Sequence, residues 1–274
     1  MSEEDDGPKP AYLNTKFMES RSGRPLRILS EYLEPAARFK YFEISDTIVF
    51  YGSARILSQE DAKKNLQVAR EQGSDTASAE QALTLSRYYE EARELSRRLT
   101  EWSKNLEGTE RRFVISTGGG PGIMEAANRG ASEAGGMNIG LNIQLPFEQH
   151  ENPYITRELT FEFNYFFMRK FWFMYLAKAL IIFPGGFGTL DELFEAMTLE
   201  TTGKLHKKMP VILYGSEYWD EALNLEALVR FGTISPEDLD VIFKTDSVDA
   251  AFDHITQELT ELFIEEPGGR KELA

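Results

Sequence analysis

The chain has 274 residues, a length that suits one large α/β domain, and 42% of them are hydrophobic, so a sizeable core can form. Thirty Lys and Arg stand against 45 Asp and Glu, a formal charge of −15. That balance disfavours nucleic-acid polymers, whose binding rests on basic side chains neutralising phosphates, but a locally positive pocket can still hold one small anion. With no cysteine there is no disulfide, thiolate metal site or Cys nucleophile, and the three histidines, His150, His206 and His254, are too scattered to predict a metal centre.

Residues 1–43 read as an acidic tail followed by a short helical arm, and residues 44–274 as a single domain. The first ten residues lack the apolar core of a signal peptide. In the arm, Ile28, Leu29, Tyr32 and Leu33 form a small apolar stripe before Pro35. Residues 46–51 (DTIVFY) form a short, β-branched and aromatic run that ends in Gly52 and Ser53, a buried strand feeding a tight turn. A long polar stretch follows, with a break at 73–78. Leu85, Tyr88, Ala92, Leu95, Leu99 and Trp102 then recur at helical spacing.

Further strands are predicted at 112–116, 138–143, 159–163, 179–183, 210–214 and 241–244. Helices are predicted at 123–134, 165–177, 218–230 and 248–265, with one more opening at Thr189 as its N-cap; 148–153 reads as a loop. The apolar stretch at 161–184 is interrupted by Glu162, Asn164, Arg169, Lys170 and Lys178, which makes it a poor membrane span; a cytoplasmic protein is expected. Strands alternating with helices imply a Rossmann-like, doubly wound parallel sheet with helices on both faces, which binds ligands at the C-terminal ends of its strands. Three glycine-bearing turns leave strands there, at 52–53, 118–122 and 185–188.

Such turns admit backbone N–H groups close to a phosphate, and the following helix N-terminus favours negative charge. Neither glycine run is followed by the Lys of a P-loop. The dinucleotide fingerprint fails as well, because its third glycine position is Ile123 or Asp191. The last turn runs directly into Asp191 and Glu192, with Glu195 on the same helix face; Asp191 is explained equally well by the helix dipole. Arg169 and Lys170 sit in an aromatic run, FFMRKFWFM, where snorkelling or a buried ion pair is as good a reading as a functional one.

The segments TGGGPGIMEAA (117–127), MRK (168–170) and PGGFGTLDE (184–192) resemble, in order and spacing, three motifs of the LOG ("Lonely Guy") family, often labelled lysine decarboxylase-like. The resemblance spans residues 46–215. It implies a phosphoribohydrolase that releases the free base from a nucleoside 5′-monophosphate, AMP-like or a cytokinin nucleotide, and leaves ribose 5-phosphate.

Residue by residue, the resemblance implies Arg169 and Glu192 as the catalytic pair and Gly185, Gly186, Gly188 and Thr189 as the phosphate cradle. It places Gly119, Gly120, Gly52 and Ser53 along the nucleotide site, with Met124 near the base. Asn142, Lys170 and Asp191 are further candidates. No metal or organic cofactor is expected, and family members commonly pair into homodimers.

Three features depart from compact members of the family: the N-terminal arm, a long helical insertion between the first two strands, and an extended C-terminal part. The third motif also reads Asp191-Glu192 rather than two glutamates. Two other readings stand beside hydrolysis. One is a non-catalytic carrier of a nucleotide or of the molybdenum cofactor on the same fold. The other is a pyridoxal-phosphate decarboxylase, for which Lys170 and Lys178 are the lysines on offer.

Overall fold

The computed structural model describes residues 10–106, 111–146, 151–205 and 208–265. The acidic first residues, His150, His206 and the start of the 148–153 loop lie outside them. After a short helix α1 (Thr15–Met18), helix α2 (Arg24–Tyr41) leads into β1 (Thr47–Tyr51), α3 (Gln59–Glu71), α4 (Ala77–Lys104) and β2 (Val114–Thr117). Next come α5 (Ile123–Glu133), β3 (Asn138–Ile143), β4 (Thr160–Phe163), α6 (Phe166–Leu176), β5 (Ala177–Ile182) and α7 (Phe187–Thr201). The chain continues through β6 (Val211–Tyr214), α8 (Ser216–Ala222), α9 (Leu225–Arg230), β7 (Ile242–Thr245) and α10 (Val248–Thr260), with a π-helical turn at Glu261–Glu265.

The seven strands form one sheet in the order β4-β3-β2-β1-β5-β6-β7, and all pairings are parallel. The fold is therefore the expected Rossmann-like, doubly wound one. Alternate residues of the buried strands feed two cores. Ile48, Phe50, Ile115 and Ile181 pack with Leu95, Leu99, Ala127 and Ile255 on the face covered by α4, α5 and α10. Val49, Tyr51, Leu180 and Ile182 pack with Trp172, Phe173 and Leu193 on the face of α6 and α7. No helix among the described residues is long and apolar enough to cross a membrane.

Four elements differ from the sequence expectation. The polar stretch after β1 contains α3, opened by Ser58, whose hydroxyl accepts from the Asp61 N–H. Helix α7 starts at Phe187 with Gly186 as its N-cap; Thr189 is not the cap but lies inside the first turn. The helix expected over 218–230 is two helices, because Asn224 accepts from the Ala227 N–H and caps a new one.

The fourth is the arm, which does not stop before Pro35. Helix α2 runs 18 residues through it, burying Pro35 and Phe39 and leaving Leu29, Tyr32 and Leu33 largely exposed. Pro35 lacks the N–H that would bond the Glu31 carbonyl. The Trp172 indole N–H takes that carbonyl at 3.0 Å instead. The Glu31 carboxylate accepts from the N–H groups of Asn164 and Tyr165 at 2.9 and 3.2 Å, where α6 begins. A negative group there also suits the helix dipole, so α2 fixes both the start and the rotation of α6.

Helices α4 and α5 approach at Gly130, where an added Cβ would stand 2.0 Å from the Arg93 carbonyl oxygen. Alanine ordinarily gains about 1 kcal/mol over glycine inside a helix. Overpacking against a backbone atom costs about 1–3 kcal/mol, and backbone cannot swing aside. The clash should outweigh the propensity gain. Gly130→Ala is expected to lower the urea midpoint of unfolding, and a raised midpoint would show that the two helices do not meet this closely.

Candidate nucleotide site

The sheet reverses its winding between β1 and β5, and the turns leaving these two strands lie side by side. The Ser53 N–H donates to the Pro184 carbonyl at 2.9 Å, and the Ile123 N–H donates to the Ser53 carbonyl at 3.1 Å. The three glycine-bearing turns are thereby joined, directly or through α5. Gly52 has no room for a side chain, since a Cβ would stand 2.7 Å from Ile123. Gly119 has φ +73° and faces the Asn142 amide, where a Cβ would come within 2.3 Å of Oδ1; Met124 Sδ lies against Gly118 in the same way.

A buried polar network holds the middle turn. The Asn152 amide donates to the carbonyls of Gly119 and Gly120, each at 3.1 Å, and to Asn128 Oδ1 at 3.0 Å. The Thr117 hydroxyl donates to that same Asn128 oxygen at 2.6 Å and accepts from the Gly119 N–H at 2.9 Å. The Asn128 amide in turn donates to Asn138 Oδ1 and to the Ile139 carbonyl. Unmet polar groups in a dry interior cost about 1–3 kcal/mol each, so a fully connected network sets the turn rigidly. Sequence reasoning missed it, although an Asn inside an alanine-rich helix segment is a poor helix former and a usable signal.

The last turn differs in character. Thr189 is buried and packs back over Gly185, where a Cβ would meet its Oγ1 at 2.1 Å, and the Tyr218 hydroxyl donates to the Gly185 carbonyl at 2.6 Å. Gly186 and Gly188, by contrast, have nothing within 4 Å of where a Cβ would stand, and Phe187 between them is 94% exposed. The space beside Gly186 and Gly188 is thus open at the start of α7, and a helix N-terminus is where an anion is received.

Beside that turn, α6 and α7 bring charged side chains together. Arg169 Nη2 donates to Glu192 Oε1 at 3.1 Å. Lys170 Nζ lies 2.8 Å from Asp191 Oδ2, 2.9 Å from Glu195 Oε2 and 3.6 Å from Glu192 Oε2. The Glu192 side chain is only 5% exposed and that of Arg169 14%, whereas Asp191 stands at 60% on the rim. Phe166 and Phe173 flank the Arg169 guanidinium, with ring centroids 5.3 and 5.6 Å away.

Burial pushes the Glu192 carboxyl above its ordinary range; Arg169 and Lys170 pull it down, and Glu195 and Asp191 add to the rise. For Lys170, burial works against the charge, but its bonds to Asp191 and Glu195 prevail and raise it, so the ammonium holds its proton firmly. Lys178 lies at the opposite end of the sheet, 3.5 Å from the buried Asp46. Neither lysine is thus disposed as a free amine. Among the described residues, no group of three or more His, Asp or Glu side chains is placed to hold a metal ion.

Residues 124–255 match the family model described as "Possible lysine decarboxylase", a stretch that takes in the 168–170 and 184–192 segments. No curated protein matches the sequence. Two solved structures are similar to the chain. The molybdenum cofactor binding protein from the phototrophic bacterium Rippkaea orientalis is 18% identical over 79% of this chain and 98% of its own, with a TM-score of 0.48. The Moco carrier protein from Chlamydomonas reinhardtii is 19% identical over 80% of this chain and 99% of its own, with a TM-score of 0.49. Residues 124–255, with their arginine-lysine and glycine-rich segments, are thus similar to the LOG-like family described as "Possible lysine decarboxylase".

Proposed function

We propose that this protein hydrolyses the N-glycosidic bond of a nucleoside 5′-monophosphate, releasing the base and ribose 5-phosphate. The observation that carries the reading is Glu192: a sealed carboxylate with one oxygen held by Arg169 and the other without a hydrogen bond, next to the open N-terminus of α7. The phosphate sits on the N–H groups around Gly186 and Gly188, with Gly185 and Thr189 shaping the turn beneath it. Gly52, Ser53, Gly119, Gly120 and Met124 line the path of the sugar and base, and Asn142 backs Gly119.

Breaking the bond develops positive charge on C1′ and the ring oxygen of the ribose, as in glycoside hydrolysis. A carboxylate beside that carbon stabilises the charge and takes the proton of an attacking water. Arg169 fixes the Glu192 rotamer through its hydrogen bond. Lys170, Asp191 and Glu195 set the field around the pair. The paired state of Lys170 and the remote position of Lys178 disfavour Schiff-base chemistry, which needs a neutral amine, so amino-acid decarboxylation is not the reading adopted here.

The test is incubation with AMP, GMP, CMP, IMP and isopentenyladenosine monophosphate, following free base by chromatography. Glu192→Gln keeps the shape and removes the charge; its turnover should fall on the order of 10²-fold or more, with nucleotide binding retained within a few-fold. Unchanged turnover in that variant would remove Glu192 from the chemistry. A nucleotide bound intact by the wild type, with no base released, would instead mark a carrier.

The pH dependence follows from the raised Glu192 carboxyl. The ionised form is the active one, so kcat/KM should rise with pH through a limb lying above the ordinary carboxylate range and fall as the group protonates. A profile flat down to ordinary carboxylate pH values would count against Glu192 as the group that accepts the proton. Removing the positive charge in Arg169→Ala should move the limb further up, because the strongest influence holding the pKa down is lost.

A further inference from the structure

Three polar atoms near the α6–α7 contact are sealed from solvent and make no hydrogen bond: Glu192 Oε2, Arg169 Nε and the Tyr51 hydroxyl. Tyr51 is the last residue of β1, next to Gly52, and its side chain faces the core shared with α6 and α7. Its ring meets Phe173 edge-on at 5.1 Å, and the same Phe173 ring lies 5.6 Å from the Arg169 guanidinium. Phe173 thus touches both the phenol ring and the guanidinium that holds Glu192. The phenol is only 5% exposed and stays neutral: burial and then Glu192 raise it well above its ordinary value, with Arg169 opposing. A neutral phenol can donate a hydrogen bond.

Lys170 Nζ is held by Asp191 and Glu195, and Arg169 Nη2 by Glu192 Oε1. Without a hydrogen bond are the phenol donor, Arg169 Nε and one carboxylate acceptor, Glu192 Oε2, which lies 3.6 Å from Lys170 Nζ. We propose that Tyr51 is a water-positioning residue: its hydroxyl and Glu192 Oε2 together hold the water that attacks C1′ of the nucleotide. The inference rests on the hydrolytic reading above. The water gives one hydrogen to Oε2 and accepts the phenol O–H on one lone pair, which leaves the second lone pair aimed at carbon. As the O–C1′ bond forms, the water proton passes to Glu192. The C1′–N bond breaks with its electron pair on the base nitrogen, solvent protonates the base, and Glu192 returns its proton to solvent.

Tyr51→Phe keeps the ring and its contact with Phe173 and removes only the hydroxyl. For whichever nucleotide of the panel the wild type cleaves, kcat should fall on the order of 10²-fold, the usual loss for one well-placed donor. KM should stay within about twofold and the thermal midpoint should not drop, since the deleted atom has no partner in the free protein. An unchanged kcat, or a loss confined to KM, would overturn the assignment. If the wild type cleaves none of the nucleotides, the hydrolytic reading fails and this one with it.

A second measurement needs no variant. With methanol present, a water held by two groups in a closed space should keep the methyl riboside 5-phosphate share of product below the alcohol's mole fraction. A share equal to the mole fraction means the nucleophile is drawn from bulk solvent, and Tyr51 then positions nothing.

Discussion

Every residue of β1 is buried, β5 lies beside it in parallel, and Tyr51 is in register with Ile182. The rest of the molecule is arranged around this pairing. The chain winds outward from β1 through β2, β3 and β4, then crosses back over β1 to start again at β5. In doubly wound sheets the ligand crevice lies at such a reversal, outside the carboxyl ends of the strands. The crossing element is α6. It carries Arg169 across the sheet to the first turns of α7, which is why two residues 23 positions apart meet at 3.1 Å. Nothing local in the sequence brings them together; the return crossing does.

The meeting point is expensive, and its cost shows what it is for. A buried ion pair is often no more stable than apolar residues of the same volume, and apolar replacements can be more stable by about 1–4 kcal/mol. Three sealed polar atoms without a hydrogen bond add a further penalty of about 1–3 kcal/mol each. The surroundings hold this strained arrangement in place. Helix α2 clamps α6 through the Glu31 carboxylate and carbonyl, and Phe39 fills the space against Phe161 and Trp172 with ring centroids 5.0 and 5.3 Å away. Pro35, which would weaken an isolated helix, here releases the carbonyl that Trp172 needs. The N-terminal arm is thus part of what aims Arg169.

Residues that follow simple rules were the readable ones. The runs at 46–51 and 179–183 are apolar, short and bounded by glycine, so they announce buried strands, and with them the parallel sheet and its ligand-binding edge. The pair Arg169 and Glu192 was legible through motif resemblance, and the structure brings the two into contact. Helix α3 escaped because it buries only Ala62 and Leu66, too thin a stripe to show a period, even though its Ser58–Asp61 cap was visible. Thr189 misled through residue type: it is a good cap in isolation, but here its side chain is used against Gly185 and a glycine opens the helix instead. Tyr51, Asn152 and Glu31 act across long sequence separations, and their partners appear only once the sheet order is known.

One tension remains between the whole molecule and its crevice. A chain of formal charge −15 repels anions at long range, yet the proposed reaction requires this site to accept one. Screening resolves it. At physiological ionic strength charges interact over about 8 Å, so a bound anion feels the crevice and little beyond it. Within that radius Arg169 and Lys170 partly offset Asp191, Glu192 and Glu195 of α7, and the tendency of Glu192 to hold a proton trims the negative charge further. What is left is the backbone of the α7 N-terminus, which attracts only at contact distance. Binding then depends on approach rather than steering. At Gly186 and Gly188 no protein atom fills the place where a Cβ would stand, so that approach stays open. A Cβ there would meet no protein atom, yet it would stand where the proposed reaction needs the anion to come.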